Sequence, residues 1–169
     1  NLGDLCDLWI TFNEPMVQVS GAYLAGLMPP EKHNPWKAYK VAWNMARAHR
    51  IVAVMIHKIQ GPSPDAKGSD GQLRGVGIAQ STQIYDPADP TNPKDLKVAQ
   101  MVEELTSWAF LKAVESEKMV LKLPPGLMRT IVGDFEKDFP STDIPEGSVG
   151  PMMDWIGINY YGRYIIKYK

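Results

Sequence analysis

The chain has 169 residues, 18 Lys and Arg against 19 Asp and Glu, and a formal net charge of −1, with 44% hydrophobic and 22% charged residues. That composition suits a globular domain with a single core and leaves no electrostatic footprint for nucleic acid, since the basic residues are scattered. No apolar run approaches the ~20 residues that cross a bilayer, and the lone cysteine, Cys6, excludes a disulfide framework and a cysteine-based zinc cluster.

The predicted elements alternate strand and helix. Leu8-Trp9-Ile10-Thr11-Phe12 is a short β-branched and aromatic run stopped by Asn13-Glu14-Pro15, and reads as a buried strand. A helix comes next, from about Trp36 to Ile59. Its apolar positions Ala38, Val41, Ala42, Met45, Ala48, Val52, Met55, Ile56 and Ile59 fall three and four apart and predict the buried stripe. Asn34 before Pro35 is its expected start. The polar stretch from Gly61 to Gln72 reads as a surface loop in preference to a domain linker. Arg74 to Thr82 is the second predicted strand, and Pro87, Pro90 and Pro93 break the segment after it. The second helix is expected from about Lys94 to Ser116, with Val98, Met101, Val102, Leu105, Trp108 and Ala109 on one face. A short helix is expected within 124–138, and a last strand from about Trp155 to Tyr161.

Strands joined by single long helices imply parallel βα units. A doubly wound sheet and a barrel both fit that pattern. No Gly-rich phosphate loop opens a helix, because Gly75 and Gly77 lie within a strand, which argues against nucleotide binding. The chain has no initiator Met, starts almost at once on an apolar segment, and stops just after a strand-like run. Both ends are read as cuts.

Asn13-Glu14-Pro15 lies at the carboxyl end of the first strand, where a (β/α)8 barrel carries its active site. Pro15 is expected to hold Glu14 in an extended backbone that aims its side chain out of the strand end. A carboxyl there, beside aromatic walls, is suited to donating a proton. As a bare tripeptide it would more simply end a strand. Elsewhere the residues are bland. Asp86 and Asp89 show no metal-ligand spacing. His49 and His57 are eight residues apart on a helix, too far to share a metal, and His49 is expected to be a packed helix residue. His33 is expected at the surface, and Cys6 is expected to be buried rather than reactive.

The wider context gives Glu14 a role. Trp9-Ile10-Thr11-Phe12-Asn13-Glu14-Pro15 resembles the acid/base signature of glycoside hydrolase family 1, and Asp154-Trp155-Ile156-Gly157-Ile158-Asn159-Tyr160-Tyr161 resembles that family's sixth-strand motif. Gly3-Asp4, the loop from Gly21 to Pro30, and Asn44 to His49 extend the resemblance over essentially the whole chain. It implies an α/β fold: a partial (β/α)8 TIM barrel, about strands four to six with their helices, with residues 1–169 a central fragment of a single barrel domain that needs ~250 residues to close. It further implies a retaining β-glycosidase working by two-carboxylate double displacement.

By that resemblance Glu14 is the acid/base, Asn13 bonds the sugar's 2-hydroxyl, and Tyr161 positions the nucleophile. Asn159 and Tyr160 are expected to support the strand. The family's nucleophile, a Glu in a Thr-Glu-Asn-Gly segment, does not occur here. The asparagine that many members carry on the fifth strand is replaced, with Gln80 or Ser81 in its neighbourhood. The implied partner is a β-glycoside or oligosaccharide, with no nucleic acid, membrane, metal or cofactor expected. The alternatives are an inactive fragment or a klotho-like binding protein that has lost a catalytic carboxylate. The sequence names neither the sugar nor the oligomeric state. The lone cysteine and the absence of any Asn-X-Ser/Thr site make the cytoplasm the default compartment.

Overall fold

A computed structural model describes residues 5–60, 71, 74–116, 118–119, 142–143 and 151–169. The short helix expected within 124–138 and most of the polar stretch after Gly61 lie outside them. Three strands form one parallel sheet in the order β1-β2-β5: β1 Leu8–Asn13, β2 Gly75–Pro87 and β5 Trp155–Ile166. Between β1 and β2 lie α1, Pro15–Val19, which runs on into a π-helical turn at Ser20–Leu24, and the long α2, Pro35–Gln60. After β2 come α3 Pro93–Glu103, a π-helical segment Glu104–Trp108, and α4 Ala109–Glu115. Two short strands, β3 Lys118–Met119 and β4 Thr142–Asp143, pair antiparallel.

The helix starts are those the sequence encodes. Asn34 Oδ1 accepts from the backbone N–H of Lys37 at 2.9 Å with Pro35 opening α2, and Asn92 Oδ1 accepts from Lys94 at 3.0 Å with Pro93 opening α3. Both satisfy an orphan donor with a side chain and place proline where its missing N–H costs nothing.

The buried faces are not the expected ones. α2 buries Ala38, Tyr39, Ala42, Ala46, His49, Arg50, Ala53, Val54 and His57. Of the predicted stripe only Ala38 and Ala42 belong to it, while Met55 and Ile59 are 56% and 77% exposed. The alanines let the helix lie close to the sheet, and the two histidines reach strands. Of the face expected on the second helix, Ala109 is buried, Val98, Met101, Val102 and Leu105 are half-buried, and Trp108, in the π segment, departs. One extra residue per turn shifts the phase of the residues beyond it, so Trp108 turns outward, its indole N–H toward Glu103 Oε1 at 3.4 Å. Ala109, Phe110, Ala113 and Val114 then enter the core with Ile78 and Met152.

Two polar links, through the buried His49 and His57, tie α2 to β1, to β2 and to the segment just before β5. His49 Nε2 donates to the carbonyl of Met152 at 2.8 Å, so its Nδ1 accepts from the Thr11 hydroxyl at 2.6 Å. His57 Nε2 meets Asp154 Oδ2 at 2.9 Å, and the same oxygen accepts from the N–H of Val76 at 2.8 Å. Gly75, at φ +115°, provides the room: a Cβ there would overlap the Asp154 carboxylate. A Cβ on Gly77 would overlap the carbonyl and indole of Trp155. The two glycines sit in the strand because the neighbouring strand occupies the space of their side chains.

Burial lowers the pKa of His49 from its ordinary 6.5 to about 4, outweighing the opposing bond to Met152. The unfolded chain therefore binds a proton between these values that the folded chain refuses. The stabilisation is complete above pH 6.5 and falls away as pH drops toward 4, by about 3 kcal/mol in all. Urea unfolding of the full-length protein at pH 7 and pH 4.5 is expected to show this loss, and His49→Gln to remove that part of the pH dependence. An unchanged dependence in the variant would refute the assignment. Gly75→Ala is expected to cost about 3 kcal/mol or more, since backbone strain and overlap with Asp154 add. A denaturation midpoint within error of wild type would contradict that expectation.

Candidate active site

Glu14 sits where β1 hands over to α1. Its N–H donates to Ala79 O on β2 at 2.7 Å, and its carbonyl accepts from Val17 and Gln18 at 3.0 and 3.3 Å, which starts the helix. To serve both, the residue adopts φ 50°, ψ 56°, the left-handed region. The extended conformation expected from Pro15 is therefore not the one observed. Closing a strand and opening a helix at one residue overrides the steric bias of the following proline. A non-glycine residue there is strained, and such strain clusters at functional sites.

The carboxylate is held from β5, two strands away. Asn159 Nδ2 donates to Glu14 Oε1 at 2.8 Å and to Asn13 Oδ1 at 3.2 Å. The Tyr161 hydroxyl donates to the same Oε1. Adjacent residues of a regular strand point to opposite faces. The left-handed turn at Glu14 breaks that alternation, so one amide reaches both Asn13 and Glu14. Accepting that proton, Glu14 holds the Tyr161 hydroxyl above its usual pKa. Among the described residues, Glu14 Oε2 and Asn13 Nδ2 have no partner.

The two sequence motifs thus converge on one carboxylate. Glu14, Asn13 and Tyr161 come together, with the Tyr161 hydroxyl on Glu14 itself. Asn159, expected only to support its strand, is a direct donor to the Glu14 carboxylate. The signal was its spacing, because Asn159 and Tyr161 are two apart on a strand and share a face. Tyr160 faces the other way and makes no bond to Glu14. Gln80 and Ser81 also separate. Gln80 is fully buried against the helix, with Nε2 on the carbonyl of Thr106 at 2.9 Å. Ser81 is the register partner of Asn159 and shares its face.

The remaining polar residues have other duties. Asp86 pairs with Arg163 at 2.7 Å. Asp89 accepts from the hydroxyl and N–H of Thr91, which holds its carboxyl below the usual range. His33 is exposed, with Nδ1 on Leu24 O at 3.1 Å. Cys6 is half-buried and donates to Leu8 O at 3.2 Å. Among the described residues, no three His, Cys, Asp or Glu side chains converge as a metal site.

The model of glycosyl hydrolase family 1 matches residues 1–169. A β-galactosidase of Pyrococcus woesei is 31% identical over 169 residues, which cover 99% of this chain and 30% of that protein. A 6-phospho-β-galactosidase of Staphylococcus haemolyticus is 30% identical over 90% of this chain and 31% of its own length. The solved β-glycosidase from Pyrococcus horikoshii matches with a TM-score of 0.62 and 32% identity, over 95% of this chain and 29% of that one. The family 1 β-glucosidase from Thermotoga maritima gives 0.65 at 20% identity, covering 99% and 33%, a likeness of fold alone. The chain spans about 30% of the length of the curated relatives it matches. With its two motifs meeting on one carboxylate and the family model covering every residue, the chain belongs to glycosyl hydrolase family 1.

Proposed function

We infer that the protein containing this chain is a retaining β-glycosidase and that Glu14 is its acid/base. Residues 1–169 form the central portion of one (β/α)8 barrel domain, about strands four to six, and contribute the acid/base without the nucleophile. The observation that carries this reading is the carboxylate of Glu14, held at the carboxyl end of a parallel strand by Asn159 and Tyr161. That end of a barrel is where catalytic groups gather.

In this reading Glu14 carries its proton on Oε2, the oxygen without a partner among the described residues, and delivers it to the glycosidic oxygen as the bond to the anomeric carbon breaks. A second carboxylate, about 5–5.5 Å away in retaining enzymes, takes the anomeric carbon. The two donors on Oε1 favour the anion that forms as the proton leaves, and so act where charge develops. The resulting carboxylate takes a proton from water, whose oxygen releases the sugar from the covalent intermediate and regenerates the acid. Asn13 Nδ2 is left to donate to the sugar's 2-hydroxyl, a contact that tightens in the transition state.

In the full-length protein, Glu14→Gln is expected to lower kcat/KM for an unactivated β-glycoside by about 10²–10⁴. Added azide, a nucleophile that needs no general base, should restore turnover of a dinitrophenyl glycoside and yield the β-glycosyl azide. An α-azide, or wild-type activity in the variant, would sink the assignment. The chain of residues 1–169 alone is expected to hydrolyse no β-glycoside, because one carboxylate serves only one of the two roles. Turnover by that chain, lost on Glu14→Gln, would require a second carboxylate within it to be the nucleophile.

A further inference from the structure

The residue before β5 is a carboxylate that takes no part in the proposed chemistry. The side chain of Asp154 is 0% exposed and that of His57, its partner, 2%. Removing a carboxylate from water is costly unless bonds replace its hydration. Here they converge on one atom. Asp154 Oδ2 accepts from His57 Nε2 of α2 at 2.9 Å and from the Val76 N–H of β2 at 2.8 Å. The Asp154 N–H in turn donates to the carbonyl of Val76 at 2.8 Å. Side chain and backbone together grip both polar groups of a single residue of β2. Among the described residues Oδ1 has no partner.

That double grip selects Val76 over its neighbours in the strand. Gly75, whose missing side chain leaves room for the carboxylate, fits the same alignment. From there the ladder proceeds in step, Trp155 to Gly77 and Asn159 to Ser81. Asn159 and Tyr161, the donors to Glu14, lie five and seven residues beyond Asp154, roughly 17 and 23 Å at the rise of a strand. The strand that carries the acid refers to the same helix, since His49 of α2 meets both Thr11 of β1 and the carbonyl of Met152. Hydrogen bonds weaken steeply with misdirection. A small rotation or shift of β5 at its first residue therefore reaches Glu14 as misaligned donors.

We propose that Asp154 is a positioning residue for catalysis. By choosing which residue of β2 meets the start of β5, it sets where Asn159 and Tyr161 present their donors to the Glu14 carboxylate. It touches neither the substrate nor Glu14. The proposal rests on the reading of Glu14 as proton donor to the leaving oxygen.

The test uses the full-length protein and two β-glycosides of the same sugar. An alkyl glycoside needs the proton of Glu14 to depart, whereas a dinitrophenyl glycoside departs without it. The measured quantity is kcat/KM for the first divided by that for the second. Loss of folded protein lowers both values and leaves their ratio unchanged. Asp154→Ala is expected to lower the ratio about 10- to 100-fold, the scale of a misplaced catalytic group. Asp154→Asn is expected to stay within about threefold of wild type, because both bonds fall on one oxygen that the amide can supply. His57→Phe keeps a ring and removes one of the two donors to Asp154. It is expected to lower the ratio roughly three- to tenfold, and it decides the matter if Asp154→Ala does not fold. A wild-type ratio in a folded Asp154→Ala or His57→Phe protein overturns the positioning role. So does an Asp154→Asn protein as impaired as Asp154→Ala. Glu14→Gln is the control: if it lowers the ratio and Asp154→Ala does not, this inference alone fails. If Glu14→Gln leaves the ratio unchanged, the reading of Glu14 fails and takes this inference with it.

Discussion

The structure depends on where β5 begins. Asp154 accepts at one oxygen from both the backbone of β2 and a histidine of α2, and fixes the strand's first residue against Gly75 and Val76. From there the ladder runs Trp155 to Gly77, Gly157 to Ala79 and Asn159 to Ser81. A slip of one residue would turn every side chain of β5 to the other face, and Asn159 and Tyr161 would leave Glu14. His49 adds a second hold on the same segment through Met152 and ties it to β1 through Thr11. The contacts of Met152 and Asp154 lie just before β5 starts, away from the carboxyl end of β1 where Glu14 sits. Groups at the two ends are thus coupled through the register, without touching.

Glu14 shows the local counterpart of that constraint. Its backbone closes a strand, opens a helix and delivers its carboxyl to the face of Asn159. One conformation meets all three demands, and it is a strained one. The surrounding bonds, to Ala79 ahead and to Val17 and Gln18 behind, are what hold a non-glycine residue there.

Much of this was legible in the sequence. The strand and helix order, the asparagine and proline helix starts, and the two motifs on one site are readable from local pattern. Three features did not show there. The buried face of α2 is set by small residues and two histidines, and a scale of hydrophobicity favours Met55 and Ile59 instead. The phase change at Trp108 comes from one inserted residue that no side chain announces. The left-handed Glu14 reflects bonds to a strand more than sixty residues away, which a rule about the residue before proline does not contain. Asn159 was visible in principle, because its spacing from Tyr161 is the period of a strand.

β1 and β5 are not neighbours; β2 lies between them. Their backbones are about two strand spacings apart, roughly 10 Å. The hydrogen bonds to Glu14 therefore bridge across the middle strand, and the residues of β2 that share their face, Gly77, Ala79 and Ser81, are small enough to let them pass. A bridge of that span feels the twist of the whole sheet. When three strands flex together, the donors on β5 and the Glu14 carboxylate at the end of β1 move relative to each other by the sum of two interstrand displacements. The orientation of the Glu14 carboxylate is in this sense a collective coordinate, set by the stiffness of the sheet.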